Sequence, residues 1–398
     1  MTGIILTQYN GKIIGPIAKL LGYLMNAIFE FLNMIKIPNI GLSIIIFTIV
    51  IYLLLMPLTI KQQKFSKLSA KMNPELQAIQ KRYKDKKDNE SMMAMNAETK
   101  AVYAKYGVSP SGSCLQLLIQ MPILFALYRV IYNMPAYVTR IRDAFGVIAD
   151  SVIASGKVSE IQNLKVAAAY ARNFAIDERN AVIDVLYVMN NKDLAAYATG
   201  HEDVLEQISH FNNFLGINIA NSPSFMISDA WNAEGGPQIL LIIAALLIPL
   251  LSAFTQWLNV KLMPQQAQQD DKNVSDQQAS MQQSMKMMNN FMPIMSAVFC
   301  FTLPSGMGLY WIVGAVVRSI QQVLINKHID KMDIDEVIKK NEEKQKKKLI
   351  KAGIDPNTVN KNATMNTRNV AAPSQKTSMA SRANANMNHL SQEEKDEA

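Results

Sequence analysis

Arg318 stands in the middle of an apolar run, Leu-Tyr-Trp-Ile-Val-Gly-Ala-Val-Val-Arg-Ser-Ile-Gln-Gln-Val-Leu-Ile over residues 309–325, that is long enough to cross a membrane. A charge at that depth costs roughly 3 kcal/mol on insertion scales, so such a residue faces protein or a water-filled cavity and marks a working site. Trp311, Ala315, Arg318 and Gln322 recur at i, i+4, i+7 and i+11, which puts them on one helical face. Other chemistry is thin. The two cysteines, Cys114 and Cys300, sit in apolar segments, and the four histidines show no metal-ligand spacing. The apolar runs hold no Ser/His, Cys/His or paired-carboxylate constellation, and no phosphate-binding Gly-x-x-x-x-Gly-Lys-Ser/Thr loop occurs. The expectation is a protein without a cofactor that is not an enzyme and works through binding and electrostatics.

The elements that must position Arg318 are membrane helices. Hydrophobic residues make up 49% of the 398 and charged residues 18%, with the apolar ones gathered in blocks, as in a multi-span membrane protein. Residues 39–60 form a charge-free first span with Thr48 and Tyr52 one turn apart. A second runs over 113–134 with Gln120 and Leu124 on one face and Arg129 near its end, where a side chain snorkelling to the interface is the preferred reading. Residues 237–258 form a third. The short apolar piece 291–303, extended by 285–290, forms a fourth, and a tight turn at 304–308 leads into the fifth. The fold class is thus an all-α membrane protein, a bundle of five transmembrane helices.

Charge between the spans sets the orientation. Residues 61–110 carry 11 Lys/Arg against 5 Asp/Glu, and helical patterns at 61–83 and 89–106 around a Lys-Asp turn predict a helical hairpin. By the positive-inside rule the hairpin is cytoplasmic and the N-terminus lies outside. Residues 136–236, with 7 Lys/Arg and 12 Asp/Glu, then form an exterior loop with a helical insert over 161–188 and 194–214. Residues 1–38 lack a secretory-signal pattern. Over 15–35 they read as an amphipathic interfacial helix, with an imperfect first span as the alternative. After the last three spans, 237–325, comes a basic cytoplasmic tail, 326–398, that is largely disordered beyond residue 352. Its lysines, Lys346, Lys347 and Lys348 among them, suit anionic lipid or ribosomal RNA, or simply a solvated tail. The Met-rich 281–295 stretch suits ordinary interfacial packing, or an adaptable surface for apolar segments.

Four stretches carry a family resemblance: Met-Pro-Leu-Thr-Ile-Lys-Gln at 56–62, Asn-Pro-Glu-Leu-Gln at 73–77, Ser-Pro-Ser-Gly-Ser-Cys-Leu-Gln-Leu-Leu-Ile-Gln-Met-Pro-Ile at 109–123, and Leu-Tyr-Trp-Ile-Val at 309–313 followed by Ile-Gln-Gln at 320–322. Together they resemble the YidC/Oxa/Alb membrane protein insertases of the Gram-positive five-span type, over about 15–135 and 211–330. The resemblance implies a bacterial plasma-membrane protein whose hydrophilic groove, open to cytoplasm and lipid and closed to the outside, receives nascent membrane proteins. The resemblance further implies that it acts alone or with the Sec translocon. Carried over by position, the groove residues are Thr48, Tyr52, Gln120, Leu124, Trp311 and Arg318. Lys61, Lys64, Lys81, Arg82 and Lys346–Lys348 are expected contacts for clients or the ribosome, with the signal-recognition-particle receptor and membrane lipids as further partners.

One position departs from the pattern. The family typically carries an arginine five residues before the proline of its Pro-Leu motif, where this chain has Tyr52. Tyr52 lies nine residues before Lys61 and Arg318 nine before Lys327, so both sit roughly 13–14 Å from the same boundary on helices running the same way. The expectation is a groove charge moved to the last span, with Tyr52 as its hydrogen-bond or cation–π partner. A small-anion transporter using Arg318 is the alternative, although paired inverted repeats are not visible.

Overall fold

The computed structural model describes residues 8–83, 86, 88–108, 112–233, 235–262 and 276–351. In chain order the elements are α1 (Ile14–Met34), α2 (Ile40–Leu54), α3 (Met56–Tyr83), α4 (Asn89–Tyr106), α5 (Gly112–Tyr132), α6 (Met134–Tyr137), α7 (Thr139–Ala154) and α8 (Val158–Gln162). A 3-10 turn, Lys165–Tyr170, leads to α9 (Ala171–Phe174), α10 (Glu178–Val188), α11 (Asn191–Tyr197) and α12 (Glu202–Asn212). A two-stranded hairpin, β1 (Asn213–Phe214) and β2 (Ile217–Asn218), precedes α13 (Pro223–Trp231), α14 (Ile239–Leu262), α15 (Asp276–Thr302), α16 (Ser305–Asp330) and α17 (Ile334–Lys351). The chain divides into two compact units, one of residues up to Lys71 and 109–333, the other of residues 72–108 and from Ile334 onward.

Among the described residues, α14 and α16 are each long and apolar enough to cross a membrane, and α2 with α3 would count as a third, broken span. The charge-free stretch 39–60 is not one straight helix. It stops at Leu54, restarts at Met56 and bends by 56°. Pro57 explains the break. It has no N–H for the Leu53 carbonyl and its ring crowds that carbonyl, but it is well suited to the first turn of a new helix.

In the first unit, α14 packs against both α15 and α16, α16 against α2, and α1 against α5. Buried Phe29, Phe47, Ile44, Leu127 and Ile131 lie in the shared core. The polar positions of α1 have a specific use. Asn26 Oδ1 accepts the Thr139 N–H at 2.9 Å, capping α7, and Glu30 pairs with Arg140 at 2.9 Å. These contacts hold α1 to the segment that follows α5. That segment is more helical, and more finely divided, than its sequence suggests. α7 precedes the expected 161–188 helix, which itself resolves into α8, the 3-10 turn, α9 and α10. Ile141, Phe145 and Ile148 of α7 and Val182, Val185 and Leu186 of α10 are buried within its core.

A strap formed by residues 210–221 ties one end of α2 to the beginning of α16. The Asn39 amide caps α2 through the Leu42 N–H at 3.1 Å and donates to the carbonyls of His210 and Asn213 at 3.2 and 2.8 Å. The Ser305 N–H and hydroxyl both donate to the Asn221 carbonyl, at 2.8 and 2.7 Å, and the Gly306 N–H donates to Ile219 O at 3.0 Å. A side chain at Gly41 would strike the Phe214 ring, with its Cβ 2.4 Å from the nearest ring carbon, so glycine permits this approach.

In the second unit, the far half of α3 pairs with α4. Glu75 accepts from the Lys105 Nζ at 2.8 Å and the Tyr106 hydroxyl at 2.7 Å, and Arg82 pairs with Glu98 at 3.0 Å. Burial raises the Tyr106 phenol and the Glu75 carboxylate beside it adds to the effect, so its pKa is pushed up to about 12. α17 packs along α4. Ile338 is buried, and the Asn341 amide donates at 2.9 Å to the carbonyl of Tyr106, the last residue of α4. The first part of the expected cytoplasmic tail, 326–351, is mostly helical. α16 continues to Asp330, and α17 carries acidic residues in its first turn and the Glu336–Lys340 pair at 2.6 Å. Residues 352–398, and most of the expected hairpin turn at 84–88, lie outside the described residues.

Candidate functional site

The break after α2 places Tyr52 less than one turn from its end, facing α16. Its ring can lie against α16 because position 314 is glycine. A Cβ there would sit 3.0 Å from Tyr52 Cε2 and 3.4 Å from the Arg318 Nη1. Arg318 Nη1 donates to the Tyr52 hydroxyl, and its guanidinium carbon lies 5.3 Å from the centroid of the Tyr52 ring. Arg318 Nη2 donates to Gln256 Oε1 of α14 at 3.3 Å. The Gln321 amide donates at 2.8 Å to the Tyr52 carbonyl beside the helix break. Three helices thus converge on one half-buried guanidinium. Among the described residues no carboxylate neutralises it.

Polar contacts continue along the seam between α3 and α16. Gln63 and Gln322 exchange a reciprocal pair of amide hydrogen bonds, one of them at 2.5 Å, and Gln322 also donates to Asn326 at 3.0 Å. Lys67 pairs with Asp330 one turn further on. Toward the strap the surroundings are apolar: Ile44, Phe47, Ile131, Met307 and Tyr310 are all buried. The guanidinium therefore lies between a polar seam on one side and an apolar layer on the other. Low polarity around it strengthens any interaction with an arriving anion relative to water.

The expected groove residues separate into two groups. Tyr52 and Arg318 meet. Thr48 is fully buried one turn away, its hydroxyl occupied by the Ile44 carbonyl at 2.6 Å. Trp311 shares the Arg318 face of α16 but stands beside Phe299 of α15, ring centroids 6.1 Å apart. Gln120 and Leu124 are half-buried on α5, and among the described residues no hydrogen bond or ring contact joins them to Arg318. Lys61 and Lys64 lie on α3, exposed and half-buried respectively. Lys81 lies beside Arg82, which is engaged by Glu98, and Lys346 and Lys347 are exposed on α17. Lys348 belongs to the same helix. Gln256 and Gln63 are not among the residues expected from the sequence, and Gln321 enters there only within the Ile-Gln-Gln stretch at 320–322. Gln256 carries a visible signal, as one of two amides, with Asn259, near the end of the apolar helix leading to Lys261.

Residues 31–332 match the family described as 60Kd inner membrane protein. Among curated relatives, a membrane protein insertase YidC of Fusobacterium nucleatum is 38% identical over 117 residues, 28% of this chain and 55% of that protein. A membrane protein insertase YidC of Oceanobacillus iheyensis is 45% identical over 95 residues, 24% of this chain and 37% of that protein. The membrane protein insertase MisCA of Bacillus subtilis is 43% identical over 98 residues, 25% of this chain and 37% of that protein. These matches span from about a third to about half of the relatives' own lengths. With its long apolar helices and the family match over most of its length, this bacterial membrane protein belongs to the 60Kd inner membrane protein family, the family of the YidC insertases.

Proposed function

We propose that the protein is a membrane protein insertase that receives the polar end of a nascent membrane protein beside Arg318 and releases its apolar segment into the bilayer. The carrying observation is the guanidinium itself: it lies within an apolar helix, oriented by Tyr52 and Gln256, with no carboxylate partner among the described residues. A cation left unneutralised there attracts acidic residues of an arriving tail. On this reading α2, α5, α14, α15 and α16 are five spans, the strap end lies outside and α17 lies in the cytoplasm. The polar seam along Gln63 and Gln322 is then the cytoplasmic mouth, and the apolar layer beneath the strap closes the groove to the exterior. A hydrated pocket within one leaflet shortens the apolar path a polar tail must cross. Transfer is completed when the client's own apolar segment enters lipid, a gain of roughly 25 cal/mol per Å². No covalent chemistry is required.

The hairpin and α17 offer lysines for ribosome or receptor contact, and the Sec translocon is the expected partner for larger clients. The test is insertion of a single-span client with an acidic exterior tail into liposomes. Arg318→Ala is expected to reduce insertion at least tenfold, and Arg318→Ala with Tyr52→Arg to restore it. Normal insertion by Arg318→Ala would remove the charge from the mechanism. Flux of a small anion abolished by the same substitution would favour a transporter instead.

A further inference from the structure

A second cation, Arg129, lies at the far end of α5, in an environment built differently from that of Arg318. Leu118, Met121 and Phe125 of α5 are 70%, 41% and 55% exposed and recur at i, i+3 and i+7, so they form an outward apolar stripe. Arg129 and Tyr132 continue that stripe at i+11 and i+14. The Arg129 guanidinium carbon lies 4.6 Å from the centroid of the Tyr9 ring and 6.0 Å from that of Tyr128. Tyr128 in turn stacks on Tyr132, with centroids 5.4 Å apart.

Tyr9 is held in place from outside its own segment. Its backbone N–H donates to the Tyr137 hydroxyl at 3.0 Å, and the neighbouring Gln8 amide donates to the Ala136 carbonyl at 2.7 Å. These bonds fix the segment that carries the ring over the guanidinium. The rings offer their quadrupoles to the cation but no lone pairs. Among the described residues no carboxylate or carbonyl accepts from Arg129, which is exposed. The guanidinium thus lies over a ring, while no acceptor among the described residues engages its N–H groups. Exposed Lys12, three residues beyond Tyr9, adds positive charge to the same segment.

An arginine with a covered face and a free edge presents two parallel donors, the fork that matches two oxygens of a phosphate. Where an outward apolar stripe ends, the phosphate at hand is that of a phospholipid headgroup, with its chains lying along Leu118, Met121 and Phe125. We propose that Arg129, stacked by Tyr9 and Tyr128, is a binding site for the phosphodiester of an anionic phospholipid at the exterior interface. The site rests on the reading of α5 as a membrane span. It differs from a snorkelling arginine in one checkable respect: snorkelling needs only a long cationic side chain, whereas this geometry needs the guanidinium plane and the ring over it.

The full chain would be placed in nanodiscs of mixed phosphatidylglycerol and phosphatidylcholine, and retained lipid counted by native mass spectrometry. Wild type is expected to retain at least one more phosphatidylglycerol than Arg129→Gln. Arg129→Lys and Tyr9→Ala are both expected to lose most of that difference. Equal retention by wild type and Arg129→Gln overturns the site, and full retention by Arg129→Lys overturns the stacked fork. Inorganic phosphate at millimolar concentration is the second arm. If it binds in an Arg129-dependent manner while no lipid is retained, the lipid assignment is overturned. If it leaves the retained lipid in place, the chains contribute as proposed. Labelling of Phe125→Cys by a water-soluble maleimide tests the span reading separately: protection upholds it, and rapid labelling shows that this reading, rather than the phosphate chemistry, has failed.

Discussion

Asp184 of α10 should make the segment between α5 and α14 less stable as pH rises. Its side chain is buried at 2% exposure, and its Oδ2 has no hydrogen-bond partner among the described residues. Burial raises its pKa from 3.8 to about 7, opposed only by a hydrogen bond from Asn173. The Tyr187 hydroxyl, buried close by, likewise finds no partner among the described residues. A carboxyl group with a raised folded-state pKa keeps its proton in the native state over a range in which the unfolded chain releases it. Its contribution to stability is therefore intact below about pH 4 and is lost as pH rises to about 7, after which it is constant. Integrated at 1.36 kcal/mol per pKa unit, the loss is of the order of 4 kcal/mol, or nearly three decades in the opening equilibrium. Hydrogen exchange of the α10 amides, corrected for intrinsic rates, reads this directly. Protection should fall between about pH 4 and 7 in wild type and level off above that, while Asp184→Asn should remain level and be the better protected of the two at pH 8. A pH-dependence as steep in Asp184→Asn as in wild type would refute the assignment.

Two further substitutions separate contacts that act at different places. Asn39→Ala removes both the cap of α2 and the donations to the strap, and should cost about 2–3 kcal/mol. Asn39→Asp keeps the cap and loses only the donations, so its thermal unfolding should fall between wild type and Asn39→Ala. In the second unit, Asn341→Ala removes the donor to the last carbonyl of α4 and should loosen α17 by about 1 kcal/mol, seen as roughly fivefold faster exchange across α17 with α14 unaffected.

What the sequence makes legible follows the reach of its signals. The Tyr52–Arg318 meeting can be anticipated because equal spacing from Lys61 and Lys327 fixes their depth, and helix geometry turns spacing into distance. The second arm of the hairpin is legible because Asp88 caps it and Gly107, at φ 64°, ends it. Gln256 escapes a reading that scores the run by charge, since an amide carries none. The strap has no periodicity to read. It is held in place because Asn39, Ser305 and Gly306, distant in sequence, donate to its carbonyls. α17 is hidden by its lysine-rich composition, which resembles a solvated tail until Ile338 and Asn341 find α4. Of the expected groove, Thr48 shares a helical face with Tyr52 and Trp311 with Arg318, but a shared face does not make a shared contact, and Gln120 and Leu124 stand on a different helix, α5.

The proposed relocation of the groove charge from one helix to another requires only that the two side chains exchange roles without moving the site. Tyrosine at position 52 supplies a ring face and a hydroxyl where an arginine would have supplied donors. Arg318, from across the interface, directs its donors back to that hydroxyl and to Gln256. Glycine at 314 makes room for the ring, and the Gln321 amide ties the Tyr52 carbonyl to the helix that carries Arg318. Neutral partners orient a guanidinium without discharging it. A carboxylate in place of Gln256 would bind more strongly and leave nothing for an incoming acidic segment. The choice of tyrosine and glutamine as partners is therefore the part of the arrangement that keeps the cation available, and it ties the local geometry to the proposed activity more closely than the presence of an arginine alone.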